Sequence, residues 1–284
     1  MQQQLIRPRR SLIFMPGNKP EMFQKAAKSG ADIVCIDLED AIAAQDKADA
    51  RAKTLALGDV LHETDGPECI VRLNCLRTAD GLADLLAMTE VDRCPPAIML
   101  AKVKSPDEIH VYEELLSGAH EHVRFHVIIE TNQGLQSCYE IAQSSSRIDS
   151  LLFGGVDMAA ELRIEPNWNE LIYARSRVIH AAAGADLDVI DVPYMDLDDM
   201  DGLAQEVAAC KRLGFTGKAS IHPKQIGVIN DTFSPSQAEI DQARRIIAEF
   251  EKQGTGLVVI DNKLIEKPVL RSMYRILEIA ENHL

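Results

Sequence analysis

Short apolar runs rich in β-branched residues recur along most of the chain, separated by longer amphipathic or charged stretches. The runs are SLIFM at 11–15, IVCIDLE at 33–39, CIVRLN at 69–74, AIMLAKV at 97–103, FHVIIET at 125–131, SLLFGGVD at 150–157, DVIDVPY at 188–194 and KASIHP at 218–223. Each reads as a buried strand. Between them lie PEMFQKAAKSG, QDKADARAKTLALGDVLHE, PDEIHVYEELLSGA and DLDDMDGLAQEVAACKRLGF, several opened by Asp or Ser-Pro and closed by Gly, the residues that start and stop helices. Alternating strands and helices predict an α/β fold with parallel strands and right-handed crossovers. Eight such units in about 220 residues predict a (β/α)8 TIM barrel over residues 1–225 rather than an open doubly wound sheet. Residues 226–284 carry two long helix patterns around the short strand GLVVID and are expected to form an appendage that serves an oligomer interface or a lid.

Composition narrows the partners. The 284 residues are 46% hydrophobic, enough for a sizeable core, and 44 acids against 30 bases give a net charge of −14. A nucleic-acid surface needs a local excess of Lys and Arg, so none is expected. An anionic small molecule can still be held by a few positioned bases. The six cysteines (Cys35, Cys69, Cys75, Cys94, Cys138, Cys210) include no CxxC pair and read as reduced core residues. The N-terminus MQQQLIRPRRSLIFMPGN has too short an apolar run for a signal peptide, and no run approaches the ~18 apolar residues of a membrane span, so a cytoplasmic location and no membrane partner are expected.

Most of the runs end in polar groups: Asp37, Glu39 and Asp40; Arg72 and Asn74; Lys102; Glu130; Asp157; Asp191; His222. In a parallel barrel the C-terminal strand ends converge on one face, which would gather these groups in one mouth. An acid after a strand can equally be a helix cap or a solvated loop residue. Glu130 and Asp157, each flush with an apolar run on a neighbouring strand, make an oxygen-rich pair that suits Mg2+ rather than Zn2+. Arg72 is either half of a buried ion pair or a fork for a carboxylate or a developing oxyanion. His222 is either a capped core histidine or a substrate donor. The paired glycines of LLFGGVDMAAEL match neither GxGxxG nor a P-loop and are expected to let backbone approach a ligand. The other histidines, His126 among them, read as structural.

The ordered set RRSLIFMPGN, ADIVCIDLEDAI with KADAR, VRLN, AKVKS, IIETNQGL, FGGVDMAAEL, ARSRVIHAA, GFTGKASIHPKQI and FSPSQAEIDQA resembles the citrate lyase beta-subunit-like proteins of the HpcH/HpaI aldolase superfamily over nearly the whole chain. The resemblance implies a (β/α)8 barrel acting on acyl thioesters of coenzyme A or acyl carrier protein, with Mg2+ on Glu130 and Asp157. It implies that Arg72 binds substrate, that Phe14, Lys25, Ile221 and His222 lie along the thioester site, and that Glu39 and Asp40 support the water shell of the metal. It also implies a homotrimer or hexamer in which a C-terminal segment reaches the neighbouring site. Two departures stand out. Ala101 precedes Lys102 where relatives often have Pro, and KLIEKP puts Glu266 where lyase-like and synthase-like members have the Asp of MID.

The reaction implied is cleavage of a 3-hydroxy-3-carboxy acyl-CoA of the citramalyl, citryl or malyl type to acetyl-CoA and a 2-oxo acid. Arg72 would face the developing enolate oxygen, and Glu266 of a neighbouring chain would exchange a proton with the acetyl carbon. The alternatives are the beta subunit of a multi-enzyme citrate lyase, using a carrier-protein thioester, and a non-catalytic assembly subunit.

Overall fold

In the computed structural model, residues 8–62, 66–253, 257–260 and 263–281 are described. Eight parallel strands close into a barrel: β1 (Ser11–Pro16), β2 (Ile33–Asp37), β3 (Glu68–Leu73), β4 (Ala97–Leu100), β5 (Arg124–Ile129), β6 (Ile148–Phe153), β7 (Asp188–Asp191) and β8 (Gly217–Ser220). Neighbours pair in chain order and β8 returns to β1 through Ser11–Ile13 and Lys218–Ser220, so the predicted (β/α)8 barrel is present. Helices α1 (Phe23–Ala27), α2 (Lys47–Leu55), α3 (Ala79–Glu90), α4 (Pro106–Leu115), α5 (Asn132–Gln136), α6 (Cys138–Ala142), α7 (Gly155–Leu162), α8 (Ile172–Gly184), α9 (Met200–Leu213) and α10 (Ile226–Phe233) follow the strands.

Local chemistry sets these limits. Thr78 caps α3 by accepting from the Gly81 N–H at 3.0 Å, and Asp199 caps α9 through Gly202 at 2.8 Å. Helix α9 ends at Gly214, whose φ of 116° is open to glycine and strained for other residues. The helix expected from residue 196 begins later because Asp196 spends its Oδ1 on the N–H groups of Asp198 and Asp199, forming a turn instead. Strand β4 stops short of the apolar run that predicts it: Lys102 lies at φ 56°, a left-handed conformation that no strand continues through.

Alternate residues of the strands fill the barrel. Leu12, Ile33, Cys35, Ile70, Met99, Ile128, Leu152, Ile190 and Ala219 form one buried cluster, with Phe14 packed against it. Truncating a fully buried member such as Ile70 to Ala would cost about 2–5 kcal/mol, the transfer term plus the cavity left behind. None of the six cysteines forms a disulfide, and five of them are buried. Burial pushes the Cys35, Cys94 and Cys210 thiols up, away from the reactive thiolate.

The chain divides into two compact units, Arg9–Asn230, which holds the barrel, and a second from Asp231 onward. The second unit contains α11 (Gln237–Gln253), α12 (Lys267–Glu281) and, between them, an antiparallel hairpin of β9 (Leu257–Ile260) and β10 (Lys263–Glu266) where the sequence pattern indicates a single strand. No helix among the described residues is long and apolar enough to cross a membrane.

Candidate active site

The two-residue period of a strand decides which polar groups face inward. Asp37 follows the interior residues Ile33 and Cys35 with the same parity, Arg72 follows Ile70, and Glu130 follows Ile128. Asp37 and Arg72 are register partners on β2 and β3. Arg72 Nε and Nη2 donate to Asp37 Oδ1 and Oδ2 at 2.7 and 2.6 Å. The same two oxygens accept from the N–H groups of Glu39 and Ala41 at 2.8 and 3.0 Å. One carboxylate therefore folds the turn after β2 and fixes the plane of the guanidinium.

Of the two readings of Arg72, the ion pair is present, with Asp37 as its bidentate partner. Nη1 lies 3.2 Å from Glu39 Oε2 without hydrogen-bond geometry, so this donor is not spent on Asp37. The Phe14 ring lies 4.9 Å from the guanidinium carbon and supports it from β1. Burial acts against the charge on Arg72, yet Asp37 and Glu39 hold it firmly protonated.

Lys102 joins the acids. Its backbone N–H donates to Glu130 Oε1 at 2.8 Å, and its ammonium lies 2.5 Å from Glu39 Oε1, 3.3 Å from Asp40 Oδ1 and 3.8 Å from Asp157 Oδ1. Sequence reasoning noted Lys102 only as a strand-end residue. Its left-handed φ, which turns the N–H toward Glu130 while the side chain reaches Glu39, has no signature in the residue type. Glu130 is buried, and its carboxyl is pushed up to about 8 by burial and then by the charges of Glu39 and Asp157, with Arg72 and Lys102 acting the other way. Burial likewise pushes the Glu39 carboxyl up despite Arg72 and Lys102.

Asp157 is not at a strand end, as its apolar run suggests. Strand β6 stops at Phe153, and Asp157 sits in the first turn of α7, partly exposed. The reason is steric. A Cβ on Gly154 would lie 2.4 Å from the Glu130 Cβ and 2.6 Å from its Oε2, so the chain runs against Glu130 and turns at once into the helix.

Phe14, Glu39, Asp40, Arg72, Glu130 and Asp157 are thus brought together with Asp37 and Lys102. Ile221 and His222 follow β8 at the same barrel end, next to β1, both exposed. His222 caps a short helical turn by accepting from the Lys224 N–H at 3.1 Å. Lys25 is exposed on α1. Among the described residues, none of the three forms a hydrogen bond or ion pair with the Arg72–Lys102 cluster. Glu266 ends β10, and its side chain lies outside the described residues.

Two other strand-end groups do not face the mouth. Asn74 is buried and bonded to Asp84, the Leu38 carbonyl and Lys47, which ties the turns after β2 and β3 together. Asp191 has the opposite parity to the interior Ile190 and is enclosed by Arg175 at 2.9 Å and Lys218 at 2.8 Å. Burial raises its carboxyl, but these two cations outweigh it and hold the group low.

The donor set fits a hard divalent cation. Glu39, Glu130 and Asp157 offer carboxylate oxygens only, and Glu39 Oε2 is buried without a hydrogen-bond partner. A cavity of about 180 Å³ opens beside them, lined also by Cys75, Arg77, Lys104, Thr131 and Glu161. None of these five is marked by the sequence, because each lies in a loop or on a helix after a strand.

Residues 10–223 match the model of the HpcH/HpaI aldolase/citrate lyase family. The citrate lyase subunit beta of Leuconostoc mesenteroides subsp. cremoris is 31% identical, over 98% of this chain and 95% of that protein. The mitochondrial citramalyl-CoA lyase of Rattus norvegicus is 29% identical, over 96% of this chain and 86% of that protein. A crystal structure of the CitE protein of Mycobacterium tuberculosis with magnesium, acetoacetate and coenzyme A superposes with a TM-score of 0.80 at 26% identity, covering 97% of this chain and all of that one (100%).

Proposed function

Because the chain belongs to the HpcH/HpaI aldolase/citrate lyase family, a family of lyases, we propose that it is a Mg2+-dependent carbon–carbon lyase that cleaves a 3-hydroxy-3-carboxy acyl-CoA to acetyl-CoA and a 2-oxo acid. The observation that carries this reading is the buried Glu130, which accepts from the Lys102 N–H and lines one cavity with Asp157, while the Lys102 ammonium reaches Glu39, Asp40 and Asp157, so that the acids of the cluster outnumber its cations once Arg72 is spent on Asp37. Glu130 and Asp157 are the proposed metal ligands, with Glu39 and Asp40 holding the surrounding water. When bound there, Mg2+ supplies Lewis-acid charge beside the carboxylate and hydroxyl of the substrate.

The side chains account for the rest. Asp37 orients Arg72 so that its remaining N–H groups can meet the enolate oxygen that forms as the carbon–carbon bond breaks, charge present in the transition state and weaker in the ground state. Phe14 closes the other face of the guanidinium, and Ile221, His222 and Lys25 border the thioester on the β1 and β8 side. We assign proton exchange at the acetyl carbon to Glu266 of a neighbouring copy in a homotrimer or hexamer, because Glu266 lies beyond the barrel unit and just ahead of Pro268. Six cysteines with no disulfide among them suit a reducing compartment such as the cytoplasm.

The test is release of acetyl-CoA and a 2-oxo acid by the chelator-treated chain, with and without added Mg2+, from citramalyl-, citryl- and malyl-CoA. Turnover that needs Mg2+ is expected. The likeness to a citrate lyase subunit beta favours a second reading, action on an acyl-carrier-protein thioester. Turnover of the carrier-bound substrate alone would establish that reading, and no turnover of either would overturn both. Mixed oligomers of Glu266→Ala and Arg72→Ala chains should recover part of the activity if the site is shared.

A further inference from the structure

Three cations border the cavity above Glu130, and only Lys102 is committed to the metal-binding acids. Arg77 arrives from the turn after β3 and Lys104 from the turn after β4. Both are fixed by one carboxylate on α4. Glu108, which is buried, accepts at a single oxygen, Oε1, from Arg77 Nε at 3.1 Å, Arg77 Nη2 at 2.7 Å and the Lys104 N–H at 3.2 Å. This staple holds two otherwise independent loops at the cavity wall. It leaves Arg77 Nη1 and the Lys104 ammonium without a partner among the described residues.

The acids on the cavity are Glu130, Asp157 and Glu161, and Glu161 Oε2 already accepts from the Asn132 N–H at 2.5 Å. With Glu130 and Asp157 given to the metal, Arg77 and Lys104 are matched in charge by Glu108 and Glu161, and what the wall offers a ligand is Arg77 Nη1 and the Lys104 ammonium. This step rests on the lyase reading above. Citramalyl, malyl and citryl thioesters differ at one substituent on the oxo-acid portion, a methyl, a hydrogen or a carboxymethyl group. Only the last brings an anion to two donors that otherwise face the ligand unpaired.

We propose that Arg77 and Lys104 form a carboxylate-recognition wall that directs this site to substrates with an anionic substituent on the oxo-acid portion, the citryl type, over the citramalyl and malyl types. Both side chains are partly solvated, so the discrimination is modest, about tenfold, the size of one charge-assisted hydrogen bond. An uncharged substituent of similar size does not gain it.

Isothermal titration of the Mg2+-saturated protein with freshly dissolved oxaloacetate and with pyruvate tests the wall apart from turnover. The expected result is binding of oxaloacetate about tenfold tighter than pyruvate. Lys104→Met and Arg77→Gln, both at partly exposed positions, should each shrink that ratio, and Lys104→Glu should reverse it. Equal affinities in the parent protein, or a ratio that survives Lys104→Glu, would overturn the wall while leaving the lyase reading standing. Binding of neither 2-oxo acid would overturn the lyase reading and the wall with it.

Discussion

Glu68 and Glu130 are both buried glutamates facing the interior of one barrel, Glu68 where β3 begins and Glu130 where β5 ends, and their carboxyls move in opposite directions. Burial acts upward on both. At Glu68, His126 and Arg9 outweigh it and hold the carboxyl well below the usual carboxylate range. Arg9 donates to both Glu68 oxygens at 2.7 and 2.9 Å and also reaches Asp149 at 2.9 Å and Asp188 at 3.3 Å, while Arg124 takes the other Asp149 oxygen. Glu68, His126 and Asp149 bring three ligand-type atoms within 4.8 Å of one another, the spacing of a metal site. Arg9 already supplies their cation, so this end is a plug.

At the other end the nearest charges to Glu130 include Glu39 and Asp157, and its carboxyl rises to about 8. The residue type and the depth are shared, and the balance of neighbouring charge separates a structural carboxylate from one poised for a ligand.

Glu130→Gln should have the largest effect, lowering kcat/KM by roughly 1000-fold while the fold persists, because a neutral amide is a far weaker ligand for a divalent cation than a carboxylate. Steady-state assays with chelator and added Mg2+ check it, and retained Mg2+-dependent turnover would show that the open end is not the metal site.

Next in size, Glu68→Gln should destabilise the protein by about 3 kcal/mol at neutral pH, since it leaves Arg9 buried with a lost partner. The Glu68 carboxyl is lowered on folding, so its contribution is present above the ordinary carboxylate range and lost as pH falls through the folded value. Denaturant melts should therefore show the full gap at pH 7 and a narrowing only well into acid. A gap absent at pH 7 would mean that the closed end is not held by this pair.

The metal-free protein sharpens the contrast. The Glu130 carboxyl is raised on folding, so its contribution is fully present below the unfolded-state range and is lost as pH rises through about 8. Glu130→Gln should remove that loss and gain stability over the parent progressively between pH 5 and 9, the opposite slope to Glu68→Gln. Parallel pH profiles for the two variants would contradict the opposed charge balance.

The smallest expected change is at Lys102. Replacing its ammonium by Met removes a cation lying within 3.8 Å of three acids, so Mg2+ should bind about tenfold tighter by calorimetry. Weaker binding would mean that Lys102 serves instead to hold those acids in place for the ion.

The sequence by itself determined the barrel, because eight buried strands separated by helix-length segments leave few ways to satisfy every backbone group, and the apolar runs mark all eight. It also determined that the acids after β2 and β5 and Arg72 belong to one end, since parallel strands share a direction and side chains alternate with a period of two. The tertiary structure alone decided what those groups do to one another. Asp37 engages Arg72 because β2 and β3 pair in that register, and Asp191 leaves the mouth because its parity turns it toward Arg175 and Lys218. Asp157 moves onto a helix because Gly154 lies against Glu130. Arg77 and Lys104 share one wall because Glu108 joins two loops far apart in sequence. Local pattern carries strand identity and facing. Charge balance and long-range contacts depend on which side chains meet across the barrel, and no spacing within one segment encodes that.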